Sequence, residues 1–138
     1  MQIGSVKFEG FAAMAPMAGV ADRAQRSIAR RFGAAFTVSE MISAKGVVMG
    51  GKNSLELLTC DSEGPFGLQL FGAEAKSMAE AAKIAASHGP DFIDLNFGCP
   101  APKITSGKGG SALLNDLPLA QCIVSAVVRA IDLPVTVK

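Results

Sequence analysis

The chain has 138 residues, enough for one domain with a substantial core. It is 49% hydrophobic and 18% charged, which excludes a disordered chain, and no apolar run reaches the roughly 18 residues of a membrane span. A net charge of +1 excludes a strongly basic nucleic-acid module but leaves basic surface elsewhere in a longer protein open.

Three cysteines, Cys60, Cys99 and Cys122, cannot all pair with one another, and their spacing fits no zinc pattern. They predict a reducing, cytoplasmic setting. Met1 to Gly10 carries Lys7 and Glu9 and no long apolar stretch, so no secretory leader is visible.

Short apolar strands alternate with helical segments. Residues 11–15 read as a first strand, stopped by Pro16. Asp22 is a good N-cap for a helix over 23–32, in which Ala24, Ile28 and Phe32 share a face and Gly33 closes the end. The arginines of this helix, Arg23, Arg26, Arg30 and Arg31, read as its solvated side. A second strand is expected over 36–39, then a helical turn near 54–58 and a third strand over 66–71.

A helix over 74–88 follows, with Met78, Ala81, Ala82 and Ala85 on one stripe and Gly89 past its end. His88, the lone histidine, falls in its last turn, where it favours the negative end of the helix dipole. The fourth strand is 92–96. Asp116 caps a helix over 117–131 with Pro118 in its first turn and Ala120, Ile123, Val124, Val127 and Ile131 on its apolar face. Cys122 is expected to pack beside that face. A fifth strand covers 134–137.

This alternation predicts a parallel α/β sheet with right-handed crossovers. The placement of polar residues favours a barrel over an open doubly wound sheet. The Pro16–Gly19 segment, Glu40, Gln69, Asn96 and Lys138 each fall at or near the C-terminal end of a strand, and in a (β/α)8 barrel those ends converge on one face. Such a barrel takes roughly 250 residues. The chain supplies four βα units and a fifth strand, which predicts the N-terminal half of a longer enzyme with open sheet edges.

The run Asp94-Leu95-Asn96-Phe97-Gly98-Cys99-Pro100 places a thiol and an amide directly after a buried strand. Gly98 permits a sharp turn and Pro100 prevents the strand from continuing. On these residues alone Cys99 is either a small buried apolar group in a tight loop or a reactive thiol. The glycines and lysines over 103–111 lack the Walker spacing and do not follow a strand directly, which leaves a solvated loop or an anion contact.

Six blocks now stand in order: Ala15-Pro16-Met17-Ala18-Gly19-Val20 with Asp22 and Arg23, Ser39-Glu40-Met41, Gly67-Leu68-Gln69-Leu70-Phe71-Gly72, Ile93 to Pro100, Gly110-Ser111-Ala112-Leu113-Leu114, and Pro134 to Lys138. Together they resemble the tRNA-dihydrouridine synthases, in particular the bacterial, nitrogen-regulation-like branch, which are FMN-dependent TIM-barrel enzymes. Ala21 departs from the threonine common in the first block. The resemblance implies that residues 1–138 are the N-terminal half of the catalytic barrel. It also implies that a C-terminal half-barrel with the flavin phosphate site and a helical tRNA-binding domain lie beyond them.

The resemblance also implies a reaction: NADPH reduces FMN, hydride passes to C6 of a tRNA uracil, and a cysteine thiol, here Cys99, protonates C5. Pro16, Met17 and Ala18 match the backbone segment lining the flavin, Gln69 and Lys138 its polar contacts, and Asn96 the amide beside the uracil. Lys103 and Lys108 match a loop near the substrate entrance and are expected to contact tRNA backbone. The implied enzyme is a monomer, with no membrane partner.

The chemistry is self-consistent. Hydride addition at C6 builds negative charge at C5 and O4, so an acid must stand at C5. Thiols titrate at about 8.5 and keep their proton at neutral pH, unlike ordinary carboxyls. Two other readings stay open: an FMN barrel oxidoreductase acting on a free pyrimidine, and a non-catalytic half-barrel that only associates.

Overall fold

The computed structural model describes residues 1–60 and 64–138. It opens with an antiparallel hairpin that the sequence pattern does not reveal, β1 (Gln2–Ile3) and β2 (Val6–Lys7). Gly4 turns between them at φ 56°, and a Cβ there would lie 2.7 Å from Cγ of Pro134. Phe8, just past the hairpin, is buried with its ring edge-on to Phe36, which is edge-on to Phe92 in turn, at centroid distances of 5.1 and 5.6 Å.

The expected first strand is reduced to a single parallel bridge, Met14 to Thr37. Its backbone makes two bonds to the neighbouring segment, Met14 N–H to the Phe36 carbonyl at 3.4 Å and Ala35 N–H to the Ala12 carbonyl at 2.7 Å. Among the described residues this segment has a partner on one side only, and Phe11 is 99% exposed. A half-paired backbone does not sustain a regular ladder.

Asp22 caps α1 (Arg23–Arg31) by accepting from Gln25 N–H at 2.8 Å. The orientation of this helix is the reverse of the expected one. Phe32 is 89% exposed and Ile28 is also exposed, whereas Arg26, read as solvated, is only 4% exposed. Its guanidinium lies 4.7 Å from the Phe66 ring centroid and donates to the Ala21 carbonyl at 2.8 Å. Arg30 donates to the Ala34 and Ala35 carbonyls. Periodicity finds an apolar stripe without saying which side meets the sheet. A planar guanidinium whose donors are satisfied can be the inward group.

The sheet consists of β3 (Thr37–Ser43), β4 (Phe66–Phe71), β5 (Phe92–Leu95) and β6 (Val135–Val137), paired in that order and all parallel. Between them run α2 (Ala44–Val48) and α3 (Lys52–Glu56), then α4 (Ala75–Ala86), then α5 (Pro102–Thr105), a 3-10 helix (Gly110–Asn115) and α6 (Leu117–Ala130). The loop expected after the fourth strand is therefore largely helical. The parallel α/β alternation is as expected. Among the described residues the sheet is four-stranded and open, so barrel closure is not seen in these residues.

Strand alternation divides the sheet into two faces. One carries Phe66, Leu68, Leu70, Ile93 and Leu95 into a core with Met78, Ala81, Ala82 and Ala85 of α4 and Ile123 and Val127 of α6. Each large side chain sealed there contributes about 1.5–3 kcal/mol. Cys122 is exposed and does not pack beside this core as expected. His88 is exposed and lies past the end of α4, whose last helical residue is Ala86. The opposite face carries Gly67, Gln69, Asp94 and Thr136. Gly67 is required there because a Cβ would fall 2.3 Å from the Phe92 ring.

Candidate active site

Register brings Met41, Gln69, Asp94 and Thr136 side by side across the four strands. The β3–β4 ladder is irregular between Val38 and Met41, and the Ser39 hydroxyl accepts the Gln69 N–H at 2.9 Å in its place. Gln69 and Asp94 are 1% and 5% exposed, so their polar atoms must find partners within the protein. They do. Thr136 Oγ1 donates to Asp94 Oδ1 at 2.6 Å, and Gln69 Nε2 donates to Asp94 Oδ2 at 2.6 Å. Gln69 Oε1 accepts from Asn96 Nδ2 at 2.9 Å.

Asn96 closes the chain of bonds on the loop that follows β5. Its Oδ1 accepts from the backbone N–H of Cys99 at 2.9 Å and of Gly98 at 3.2 Å, an Asx-type turn that holds the thiol-bearing residue after the strand. The Cys99 carbonyl accepts from Ser111 N–H at 3.0 Å, so the start of the 3-10 helix grips the same loop from its other side. Gly110 is what allows that approach: it sits at φ 58°, and a Cβ would lie 2.4 Å from the Cys99 carbonyl oxygen.

Across the sheet, the segment after Pro16 is a turn in which Ala21 N–H donates to the Met17 carbonyl at 2.8 Å. Glu40 Oε2 accepts from Gly19 N–H and ties this turn to β3. Lys138 follows β6, its backbone bonded to Leu95 and Phe97.

A cavity of about 190 Å3 gathers Pro16, Ala18, Met41, Gln69, Asn96, Cys99 and Lys138. Six of the nine residues expected from the sequence thus face one space. The other three do not line it. The Met17 side chain is exposed, and Lys108 stands at φ 60° on the surface. Lys103 borders a separate cavity of about 410 Å3 with Ser43, Lys45 and Ser77. Sequence reasoning overlooked Asp94 and Thr136. The available signal was a carboxylate in the middle of an otherwise apolar four-residue strand, a position that only a partnered acid occupies.

The half-buried Cys99 is the one thiol that borders this cavity, with an ammonium from Lys138 and an amide from Gln69 on its walls. The set can donate protons or hydrogen bonds to a polar planar ligand. The sequence model of the family described as dihydrouridine synthase (Dus) matches residues 13–138. The chain belongs to the dihydrouridine synthase family.

Within that family, a probable tRNA-dihydrouridine synthase from Rhizobium leguminosarum is 47% identical over 91% of this chain and 39% of its own length. The tRNA-dihydrouridine synthase B proteins of Shewanella oneidensis and Proteus vulgaris are 42% and 44% identical over 100% of this chain and 43% of theirs. The chain therefore spans about two fifths of the length of these curated relatives of the dihydrouridine synthase family. No helix among the described residues is long and apolar enough to cross a membrane.

Proposed function

We propose that the full-length protein is an FMN- and NADPH-dependent tRNA-dihydrouridine synthase. In this reading residues 1–138 form the first half of a (β/α)8 catalytic barrel, followed by a second half-barrel and a helical tRNA-binding domain. The observation that carries the proposal is the convergence of Cys99, Asn96, Gln69 and Lys138 on one cavity in a chain of this family.

The donor set suits a flavin. Gln69 Nε2 has a second hydrogen beyond the one given to Asp94, and Lys138 offers an ammonium, the groups needed where a reduced flavin gathers negative charge at its pyrimidine edge. Pro16 and Ala18 would line the ring, with Met17 contributing backbone only. When bound, FMN supplies the hydride, taken from NADPH, that saturates the C5–C6 bond of uracil. Cys99 holds the proton for C5 on a loop fixed from both sides, and the Asn96 amide borders the space for the base. Lys103 and Lys108, outside this cavity, contact tRNA backbone. The enzyme acts as a cytoplasmic monomer.

The test compares NADPH oxidation by the full-length protein with unmodified tRNA and with free uracil. Turnover with tRNA and dihydrouridine in the product are expected. Turnover with the free base alone would show a pyrimidine reductase instead.

A further inference from the structure

We propose that Asp94 is a positioning residue that holds Cys99 in place through Gln69 and Asn96, without touching substrate. This rests on the proton-donor reading of Cys99 given above.

Donors and acceptors fix the arrangement. Both Asp94 oxygens accept at 2.6 Å, from the Thr136 hydroxyl and from Gln69 Nε2. Facing that acid, Gln69 has to present its NH2 group, which turns Oε1 towards Asn96. Asn96 then has to present Nδ2, which turns Oδ1 towards the N–H groups of Gly98 and Cys99. Those N–H groups are donors only, so the far end demands the same direction. An acceptor at one end and backbone donors at the other leave the two amides a single consistent orientation. Flipping either one sets donor against donor or acceptor against acceptor in a buried site, where a mismatched polar group costs more than its bond is worth.

The role requires an acceptor at position 94, not a negative charge as such. Asparagine there can turn its oxygen to Gln69 while its NH2 donates to Thr136, whose hydroxyl both donates and accepts. Leucine, of similar size, removes the acceptor and leaves Gln69 free to turn.

The full-length protein is therefore compared as wild type, Asp94→Leu, Asp94→Asn, Gln69→Leu and the double variant Asp94→Leu/Gln69→Leu. Two quantities are read: the iodoacetamide alkylation rate of Cys99, followed on its peptide by mass spectrometry, and the rate of the tRNA-reducing half-reaction. Asp94→Leu is expected to change alkylation at least fivefold and to slow tRNA reduction at least tenfold. Asp94→Asn is expected to stay within about threefold of wild type in both. Asp94→Leu/Gln69→Leu is expected to alkylate at the Gln69→Leu rate, because Asp94 acts only through Gln69.

An unchanged alkylation rate in folded Asp94→Leu overturns the proposal, as does Asp94→Asn behaving like Asp94→Leu. Should Asp94→Leu alone not fold, the double variant, which pairs two apolar groups, is compared with Gln69→Leu: equal rates support the role and a further change overturns it. Alkylation does not depend on turnover. A wild type that never reduces tRNA but shows the expected alkylation pattern would sink the synthase reading and leave the positioning role standing.

Discussion

Cys99 is held by backbone groups on both sides, its N–H by Asn96 and its carbonyl by Ser111, while its side chain borders the cavity. A proton donor so placed predicts a split between half-reactions. In the full-length enzyme Cys99→Ala should leave flavin reduction by NADPH within about threefold of wild type and slow uracil reduction by roughly the 100- to 10,000-fold typical of a lost general acid. Stopped-flow absorbance resolves the two, and equal loss of both would argue against the role. The thiol, Asn96 and Lys138 stood out in the sequence because each follows or ends a recognisable apolar run, and Gln69 because it is a polar residue inside one, while the roles expected of them came from the family resemblance. Asp94 and Thr136 were not. Strand patterning counts a buried acid as a break in hydrophobicity, and what satisfies it is a cross-strand register that no single segment encodes. Arg26 escaped for a related reason: its burial depends on Phe66 and the Ala21 carbonyl, both supplied by the tertiary fold.

Among the elements, β4, β5, α4 and α6 were legible to within a residue or two at each end, since caps and period agree there. Asp116 accepts from Leu119 N–H at 3.1 Å, and Gly89 sits past α4 at φ 82°. The segment expected as the first strand and the loop expected after the fourth were not legible. The former lacks a second neighbour among the described residues, and the latter folds into two short helical pieces held by the Cys99 carbonyl and Ile104 rather than by their own propensity. The 3-10 helix offers an internal control. Gly110→Ala combines a positive φ with a Cβ driven into backbone, and should destabilise by about 1–3 kcal/mol and displace the Cys99 loop. Gly109→Ala meets the Ile104 methyl and carbonyl at 3.4 and 3.5 Å and the Gly72 backbone at 3.8 Å, all ordinary contacts, and should be tolerated. Thermal melting of the two variants side by side checks the contrast.

At the scale of the whole molecule, the parallel α/β sheet followed from the alternation of strands and helices. Closure of the sheet did not, because it is decided by pairings at β3 and β6 that lie outside its three described ladders. The sheet face that carries Gln69 and Asp94 is correspondingly open: a hollow of about 310 Å3 bordered by Met14, Phe36, Val38, Phe92, Asp94, Thr136 and Val137 adjoins the cavity bordered by Cys99. The 138 residues produced alone should therefore bind FMN weakly and self-associate as concentration rises, through the edge of β6 that has no partner strand among the described residues. Absorbance of the purified chain and sedimentation velocity test this. A stoichiometric yellow flavin spectrum in a monodisperse monomer would contradict it.

The N-terminal hairpin bears on how the molecule assembles in time. Its turn at Gly4 rests on Pro134, so a contact made by residues near the start of the sequence waits for a segment far along it. Local helices and neighbouring strands can form early, whereas a contact of such long sequence separation carries a large loop-closure cost and slows folding. The hairpin is thus a latch that fastens late. On the ribosome the hairpin must stay unlatched at Gly4 until Pro134 has emerged.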